Sequence, residues 1–214
     1  MISIHKTSNN INNILKSTPI ISQMVTDTQI IHILSNLEST LDSNIEGEIV
    51  ELGCNIGTTS IFIRKLLDLK ESKKEYYVYD SFEGLPAKLS HDMSNTAIQY
   101  KEGSCKTSLD LFTNTFKNYN LKKPIVCQGW FKNIDESSFP KKISFAFFDG
   151  DFYSSIIDSF DKIYSKLSPG AKVIIHDYGW DALPGVKKAC DDFLKNKPEK
   201  ILMLEVGIGL LIKK

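Results

Sequence analysis

One stretch constrains this chain more than any other: Glu48-Ile49-Val50-Glu51-Leu52-Gly53-Cys54-Asn55-Ile56-Gly57-Thr58-Thr59-Ser60. An apolar run feeds a turn bracketed by two glycines, and a helix-forming pattern leaves on the far side. Strand, tight turn and helix in that order open an α/β sheet, whose ligands dock beyond the carboxyl ends of the strands. Glycine lets the main chain approach a ligand with no Cβ between them. One acid, Glu51, stands inside the apolar run just before the turn.

The rest of the chain repeats that rhythm. Residues 1–18 are polar, with Asn9, Asn10, Asn12 and Asn13 crowded together, and read as a loose arm with one short helix around Ile11–Leu15. Thr26-Asp27-Thr28-Gln29 offers a capping box, followed by Ile30, Leu34, Leu37 and Leu41 at helical spacing. Strands are expected at Ile49–Leu52, Tyr76–Tyr79, Pro124–Cys127, Ile143–Phe148 and Lys172–Ile175. Helices fall between them: Thr58–Leu69, Thr107–Tyr119, a stripe from Tyr153 to Leu167, and one through Ala189 and Phe193. Ser168-Pro169-Gly170 reads as the turn into the fifth strand, and Ile201–Val206 with Gly209–Ile212 as a closing hairpin. Alternating strands and helices imply a Rossmann-like, doubly wound, mostly parallel sheet of seven strands with an antiparallel edge. Residues 1–45 form an N-terminal arm and helical layer, and 46–214 one globular unit. Ala87–Cys105 shows little periodicity; long uncommitted loops of this kind are often lids or binding loops.

Charge and cysteine usage exclude several classes. Lys+Arg and Asp+Glu each total 26, so the formal net charge is +0, without the basic field that nucleic-acid binding usually needs. Cys54, Cys105, Cys127 and Cys190 stand at neither metal-finger nor redox-motif spacing, which implies reduced thiols and a cytoplasmic protein. Met1–Ser17 lacks the apolar stretch of a secretory signal, and no run approaches a membrane span.

Polar residues collect where the strands end: Glu51 and Gly53, then Asp80, then Gly129 and Trp130, then Asp149 and Asp151, then His176 and Asp177. Each alone could simply end a strand; five together mark the edge at which such sheets carry their sites. The first turn selects the ligand. A dinucleotide fold uses Gly-x-Gly-x-x-Gly to seat a pyrophosphate on a helix N-terminus. Here the pattern is Glu-x-Gly-x-x-x-Gly, with Cys54 and Asn55 in place of the central glycine, and no Gly-Lys-Ser/Thr follows. S-adenosylmethionine carries no pyrophosphate and needs close backbone approach more than an anion cradle. Asp80, after the second strand, is placed to accept hydrogen bonds from ribose hydroxyls.

Six segments together resemble a known family: Glu51–Ser60, Tyr79–Pro86 (YDSFEGLP), Gln128–Lys132 (QGWFK), Phe148–Ser155 (FDGDFYSS), Val173–Gly179 (VIIHDYG) and Gly185–Phe193 (GVKKACDDF). They are similar to class I S-adenosylmethionine-dependent methyltransferases, and within them to the macrocin/mycinamicin sugar O-methyltransferases, over about residues 25–195. The resemblance implies methyl transfer to a hydroxyl of a sugar or similar polyol, assisted by a divalent metal, usually Mg²⁺. It assigns Glu51, Gly53, Cys54, Gly57 and Asp80 to the cofactor, with Ser81 and Trp130 nearby, and Asp149 to the metal, the general base and the cofactor edge. His176-Asp177 falls where the family often has two acids, so Asp177 keeps the second carboxylate and His176 departs from the pattern.

The chemistry follows from the donor. A sulfonium methyl is already electrophilic, so the protein must align an oxygen and deprotonate it. A hard cation on Asp149, His176 and Asp177 would lower the hydroxyl's pKa, and Asp149 or His176 would take the proton. Imidazole is a poor Mg²⁺ ligand but a good base near neutrality, which gives His176 a second role without metal. Asp151 suits a helix N-cap better than a third acid. Trp130 is either a core aromatic or an adenine shelf, Cys54 lends its backbone, and His91 belongs to the surface. His5 and His32 have no chemical company. The rivals are a nicotinamide-dependent oxidoreductase on the same sheet, a nucleic-acid methyltransferase and a non-catalytic cofactor-binding or scaffold protein. The missing central glycine weighs against the first; neutral charge and the lack of an Asn/Asp-Pro-Pro-aromatic motif weigh against the second. The acceptor is expected to be a sugar or glycosylated metabolite, selected by the N-terminal layer and the Ala87–Cys105 loop. The N-terminal helices are also a surface through which identical subunits could pair.

Overall fold

The computed structural model describes residues 7–214; the start of the polar arm, including His5, lies outside the described residues. Two helices come first, α1 (Asn9–Ser17) and α2 (Asp27–Asp42). The strands are β1 (Glu48–Leu52), β2 (Tyr76–Asp80), β3 (Ile125–Gln128), β4 (Ile143–Phe148), β5 (Leu167–Ile175), β6 (Ile201–Met203) and β7 (Gly209–Ile212). Between them lie α3 (Thr58–Leu69), α4 (Leu109–Asn118), α5 (Tyr153–Ile163) and α6 (Pro184–Leu194). The strands form one sheet in the order β3-β2-β1-β4-β5-β7-β6. β1 to β5 are parallel, and β7 and β6 close the edge antiparallel, as the sequence rhythm implies.

Alternation along the strands sorts the core into two layers. Ile49, Phe147 and Ile174 pack with Ile30, Leu34, Phe62, Leu66 and Phe112 under α1 to α4. Their neighbours Val50, Phe148 and Ile175 pack with Ile156, Phe160, Val186 and Ala189 under α5 and α6. β4 is buried at every position, which explains its unbroken apolar run: both faces are covered by helices. Among the described residues no helix is long and apolar enough to cross a membrane.

Three expectations change. From residue 8 onward the arm is more ordered than its composition suggests, because Ser8 caps α1 and Ile11 and Ile14 bury against the first core layer. Ser168-Pro169-Gly170 does not precede β5 but belongs to it. The strand absorbs the triplet through a register shift opposite β4, with Gly170 at φ +83. The helical stripe running to Leu167 stops as an α-helix at Ile163 and tightens into a single 3₁₀ turn at Tyr164–Lys166. The capping box holds: Thr26 Oγ1 accepts the Gln29 N–H, and the Gln29 side chain accepts the Thr26 N–H.

Candidate active site

The parallel register puts the strand ends level. Leu52 pairs with Tyr79 on one side and Phe148 on the other, Phe148 pairs with Ile175, and Asp80 with Gln128. The next main-chain groups continue the ladder: Gly53 N–H donates to Tyr79 O, Asp149 N–H to Leu52 O and His176 N–H to Phe148 O. Gly53, Asp80, Asp149 and His176 therefore share one edge. A cavity of about 890 Å³ opens there. It lies at the upper end of the range of about 300–1,000 Å³ usual for ligand clefts. It sits where the strand order reverses between β1 and β4, the switch point at which open α/β sheets bind ligands.

On the β1 side the turn is locked by Asp80. One carboxylate oxygen accepts the N–H groups of Cys54 at 2.8 Å and Asn55 at 2.9 Å, and the other accepts Phe82 N–H at 2.7 Å. A carboxylate offers about four lone-pair sites, so the main chain leaves one for a ligand hydroxyl. Ser81 faces the cavity, and its hydroxyl accepts the Glu83 N–H. Trp130 lies half-buried in the wall, beside Gly129 and Phe131. Gly53 and Cys54 line the cavity as well.

Glu51 and Gly57 stand elsewhere. Glu51 is fully buried; Oε2 accepts the hydroxyls of Ser60 and Tyr76, and Oε1 has no partner. Burial pushes its carboxyl up to about 8, against the pull of those two hydroxyls. Neither residue is in the cavity wall, because Glu51 points into the first core layer and Gly57 begins α3. The glycines answer to the protein's own packing. A Cβ on Gly53 (φ +92) would lie 2.1 Å from the Asp149 carbonyl oxygen, and one on Gly57 (φ +90) would press on the Phe112 ring.

Opposite the turn, three side chains converge. His176 Nδ1 lies 2.9 Å from Asp149 Oδ1 and 3.1 Å from Asp177 Oδ2. His176 is only 5% exposed, and neither contact is aligned as a hydrogen bond, so both ring nitrogens are buried without a hydrogen-bond partner. Burial acts to lower the imidazole's pKa, but the Asp149 and Asp177 carboxylates outweigh it and hold it well above its ordinary range. Asp177 adopts φ +54, a left-handed conformation that Asp enters more readily than most residues. These three residues form a group able to hold a metal ion. The orphaned imidazole nitrogen, flanked by two carboxylate oxygens, fits such an ion.

Asp151 is not the N-cap of α5. Phe152 occupies that position without a side-chain bond, and Asp151 (φ +60) turns into the cavity wall. There burial, then Asp149 and Asp177, raise its carboxyl well above the usual range. The free end of α5 is satisfied from a distance. Asp92, 1% exposed in the Ala87–Cys105 loop, accepts the Tyr153 N–H at 2.7 Å and the Leu89 N–H at 2.9 Å. The same carboxylate lies at the start of α6, where a Cβ on Gly185 would fall 1.9 Å from Asp92 Oδ1. A second staple closes the base of the loop, as Leu85 and Gly103–Ser104 exchange main-chain hydrogen bonds.

The sequence gives no warning of Asp92, which sits in an aperiodic segment and acts on a helix sixty-one positions away. The stapled loop lends Tyr100, Glu102 and Cys105 to the cavity, and the N-terminal layer lends Gln23, Met24, Thr26 and Gln29. Trp180, which no motif distinguishes in the sequence, meets Tyr100 edge to face in the same wall. His91 is exposed outside that wall and packs on Tyr153. His32 has company after all, with Glu205 at 3.9 Å.

Comparisons with known proteins agree with this architecture. A family model described as Macrocin-O-methyltransferase (TylF) matches residues 9–206. The 8-demethyl-8-(2,3-dimethoxy-alpha-L-rhamnosyl)-tetracenomycin-C 4'-O-methyltransferase of Streptomyces olivaceus is 32% identical over 152 residues, 68% of this chain and 58% of that protein. Mycinamicin III 3''-O-methyltransferase of Micromonospora griseorubida is 30% identical over 165 residues, 73% of this chain and 64% of that protein. The chain thus spans less than two thirds of the length of either relative. Among solved structures, the O-methyltransferase NovP superposes with a TM-score of 0.80 at 23% identity, over 90% of this chain and 82% of that one. CalS11, a calicheamicin methyltransferase, gives 0.68 at 16% identity, over 94% and 89%. These two show the shared fold.

Proposed function

Because the chain belongs to the macrocin-O-methyltransferase family, we propose that it moves a methyl group from S-adenosylmethionine to a hydroxyl of a sugar or other small polyol-like metabolite, with a divalent cation assisting. One observation carries the reading: Asp149, His176 and Asp177 converge at 2.9 and 3.1 Å on the cavity edge whose main chain abuts the Gly53 turn. Four free thiols suit a reducing cytoplasm.

When bound, S-adenosylmethionine supplies a methyl carbon that is already electrophilic on its sulfonium. Gly53 and Asp80 would hold the donor side, where Asp80 would offer its remaining lone pair to a hydroxyl of the donor and Trp130 would lend an aromatic wall. A divalent ion, Mg²⁺ in the family pattern, would rest on Asp149, Asp177 and His176 and would lower the pKa of an acceptor hydroxyl. Asp149 takes the proton. It is the most exposed of the three, with 31% of its side chain accessible, and uses one carboxylate oxygen toward His176, leaving the other for the acceptor. His176 cannot share that task. Charged between two carboxylates it has no free lone pair, and as a metal ligand it has already given that lone pair away. Tyr100 from the loop and Met24 from the N-terminal layer line the same cavity and would border the acceptor.

Calorimetry with S-adenosylmethionine and with NAD tests the donor, and a screen of nucleotide sugars and glycosylated metabolites for methyl transfer tests the acceptor. Binding of NAD without binding of S-adenosylmethionine would overturn the proposal.

A further inference from the structure

We infer that the Asp149–His176–Asp177 cluster selects a transition-metal ion of the Mn²⁺, Fe²⁺ or Co²⁺ kind over Mg²⁺, with His176 Nδ1 as a direct ligand. The inference rests on the metal-assisted reading above and goes beyond it to the identity of the ion. Its first support is geometric. Two ligands set at a right angle on an ion, each about 2.1 Å away, lie about 3.0 Å apart. The Nδ1 separations of 2.9 Å from Asp149 Oδ1 and 3.1 Å from Asp177 Oδ2 match that edge.

The second support is the misalignment of those contacts. A buried imidazolium paired with two carboxylates would aim its N–H along one of them, since hydrogen bonds weaken steeply away from linearity. Here Nδ1 is buried with oxygen on two sides and makes no hydrogen bond to either. Three donor atoms gathered within 4.8 Å of one another, with the central nitrogen hydrogen-bonded to neither oxygen, suit the ligand set of one ion.

The third support is donor chemistry. Mg²⁺ demands a near-ideal octahedron of hard oxygens, whereas an imidazole nitrogen among carboxylates suits first-row transition ions. Two carboxylates and one imidazole also give the ion less negative charge than three carboxylates would, and Mg²⁺ binding needs that charge more than a partly covalent metal–nitrogen bond does. Buried at 5% exposure on the end of β5, His176 has little room to swing away and leave the ion to the carboxylates.

The test is binding, read on chelator-stripped protein without turnover. Mn²⁺ titrated by electron paramagnetic resonance should bind about tenfold or more tightly than competing Mg²⁺. Pulsed spectra of the Mn²⁺ form should show coupling to one nitrogen, and His176→Asp should abolish that coupling while bringing the two ions' affinities together. Equal or tighter binding of Mg²⁺, a Mn²⁺ spectrum without nitrogen coupling, or no ion binding at all each overturns the inference. The wild-type spectrum decides even if the variant fails to fold. Calorimetry with S-adenosylmethionine on the same samples keeps the two readings apart: donor binding without ion preference sinks only the metal assignment, and loss of donor binding sinks the methyltransferase reading.

Discussion

Asp92 accepts the backbone N–H of Tyr153 at 2.7 Å, so an acid from the long loop supplies the cap that α5 lacks in its own sequence. A carboxylate at a helix N-terminus meets both an unpaired donor and the positive end of the macrodipole. Asp92→Ala should therefore destabilise the fold by about 1–3 kcal/mol, the cost of leaving buried donors unpaired. Urea unfolding measures that loss, and limited proteolysis should find new cleavage between residues 87 and 105. An unchanged midpoint together with an intact loop would show that Asp92 is no anchor.

Asp149→Asn keeps the shape of the side chain and removes its basicity. Methyl transfer should fall by about 10²–10⁴-fold, the usual weight of a general base, while calorimetric binding of S-adenosylmethionine survives. Full activity in this variant would take Asp149 out of the mechanism.

Chelation should suppress turnover. Prolonged dialysis against EDTA is expected to stop methyl transfer, and added divalent ion to restore it. Activity that ignores the chelator would instead favour an internal cation, the His176 imidazolium, in place of a metal.

Glu51 makes the fold lose stability as the pH rises. Its folded pKa is raised to about 8 from an ordinary 4.5, so the native state holds a proton that the unfolded chain has released. The stability tied to that proton is fully present below about pH 4.5 and drains away as pH rises toward 8. Glu51→Gln stays neutral and can still accept the Ser60 and Tyr76 hydroxyls. The variant should be more stable than wild type at pH 8, with the gap closing toward pH 5. Parallel urea curves for the two proteins across this range would contradict the assignment.

Lys213 and Glu199 add a stability term far from the cavity. Burial works against the Glu199 carboxylate, yet hydrogen bonds from Lys213 and Tyr164 hold it near 2. Its contribution is present above about pH 4.5 and lost as the pH falls toward 2. Glu199→Gln should flatten the acid limb of the unfolding profile.

Strong periodicity is what made the fold readable. The unbroken run of β4 and the spacing Ile30, Leu34, Leu37 each answer to burial against a neighbour, and burial leaves a pattern in sequence. The edge of the sheet was readable for the same reason, since Asp80, Asp149, His176 and Asp177 close strands that the pattern already defined. What escaped depends on partners far along the chain. Asp151 has the residue type of a cap, but Asp92 does the capping from a segment without periodicity. Glu51 has the position of a ligand contact, but it faces inward because strand alternation sends it to the Tyr76 side. Trp180 and Tyr100 meet across eighty positions of chain, through a loop held by distant staples.

The contact at Gly53 has a further consequence. Gly53 packs against the Asp149 carbonyl so closely that a Cβ would intrude to 2.1 Å. On the proposed reading, the turn facing the donor and the strand end bearing Asp149 are thus spaced by main chain, not by adjustable side chains. Changes in the loop that spare the Asp92 anchor would, on that reading, reshape the acceptor wall while the spacing between the Gly53 turn and Asp149 stayed fixed, like the jaw of a tool whose handle alone is refitted.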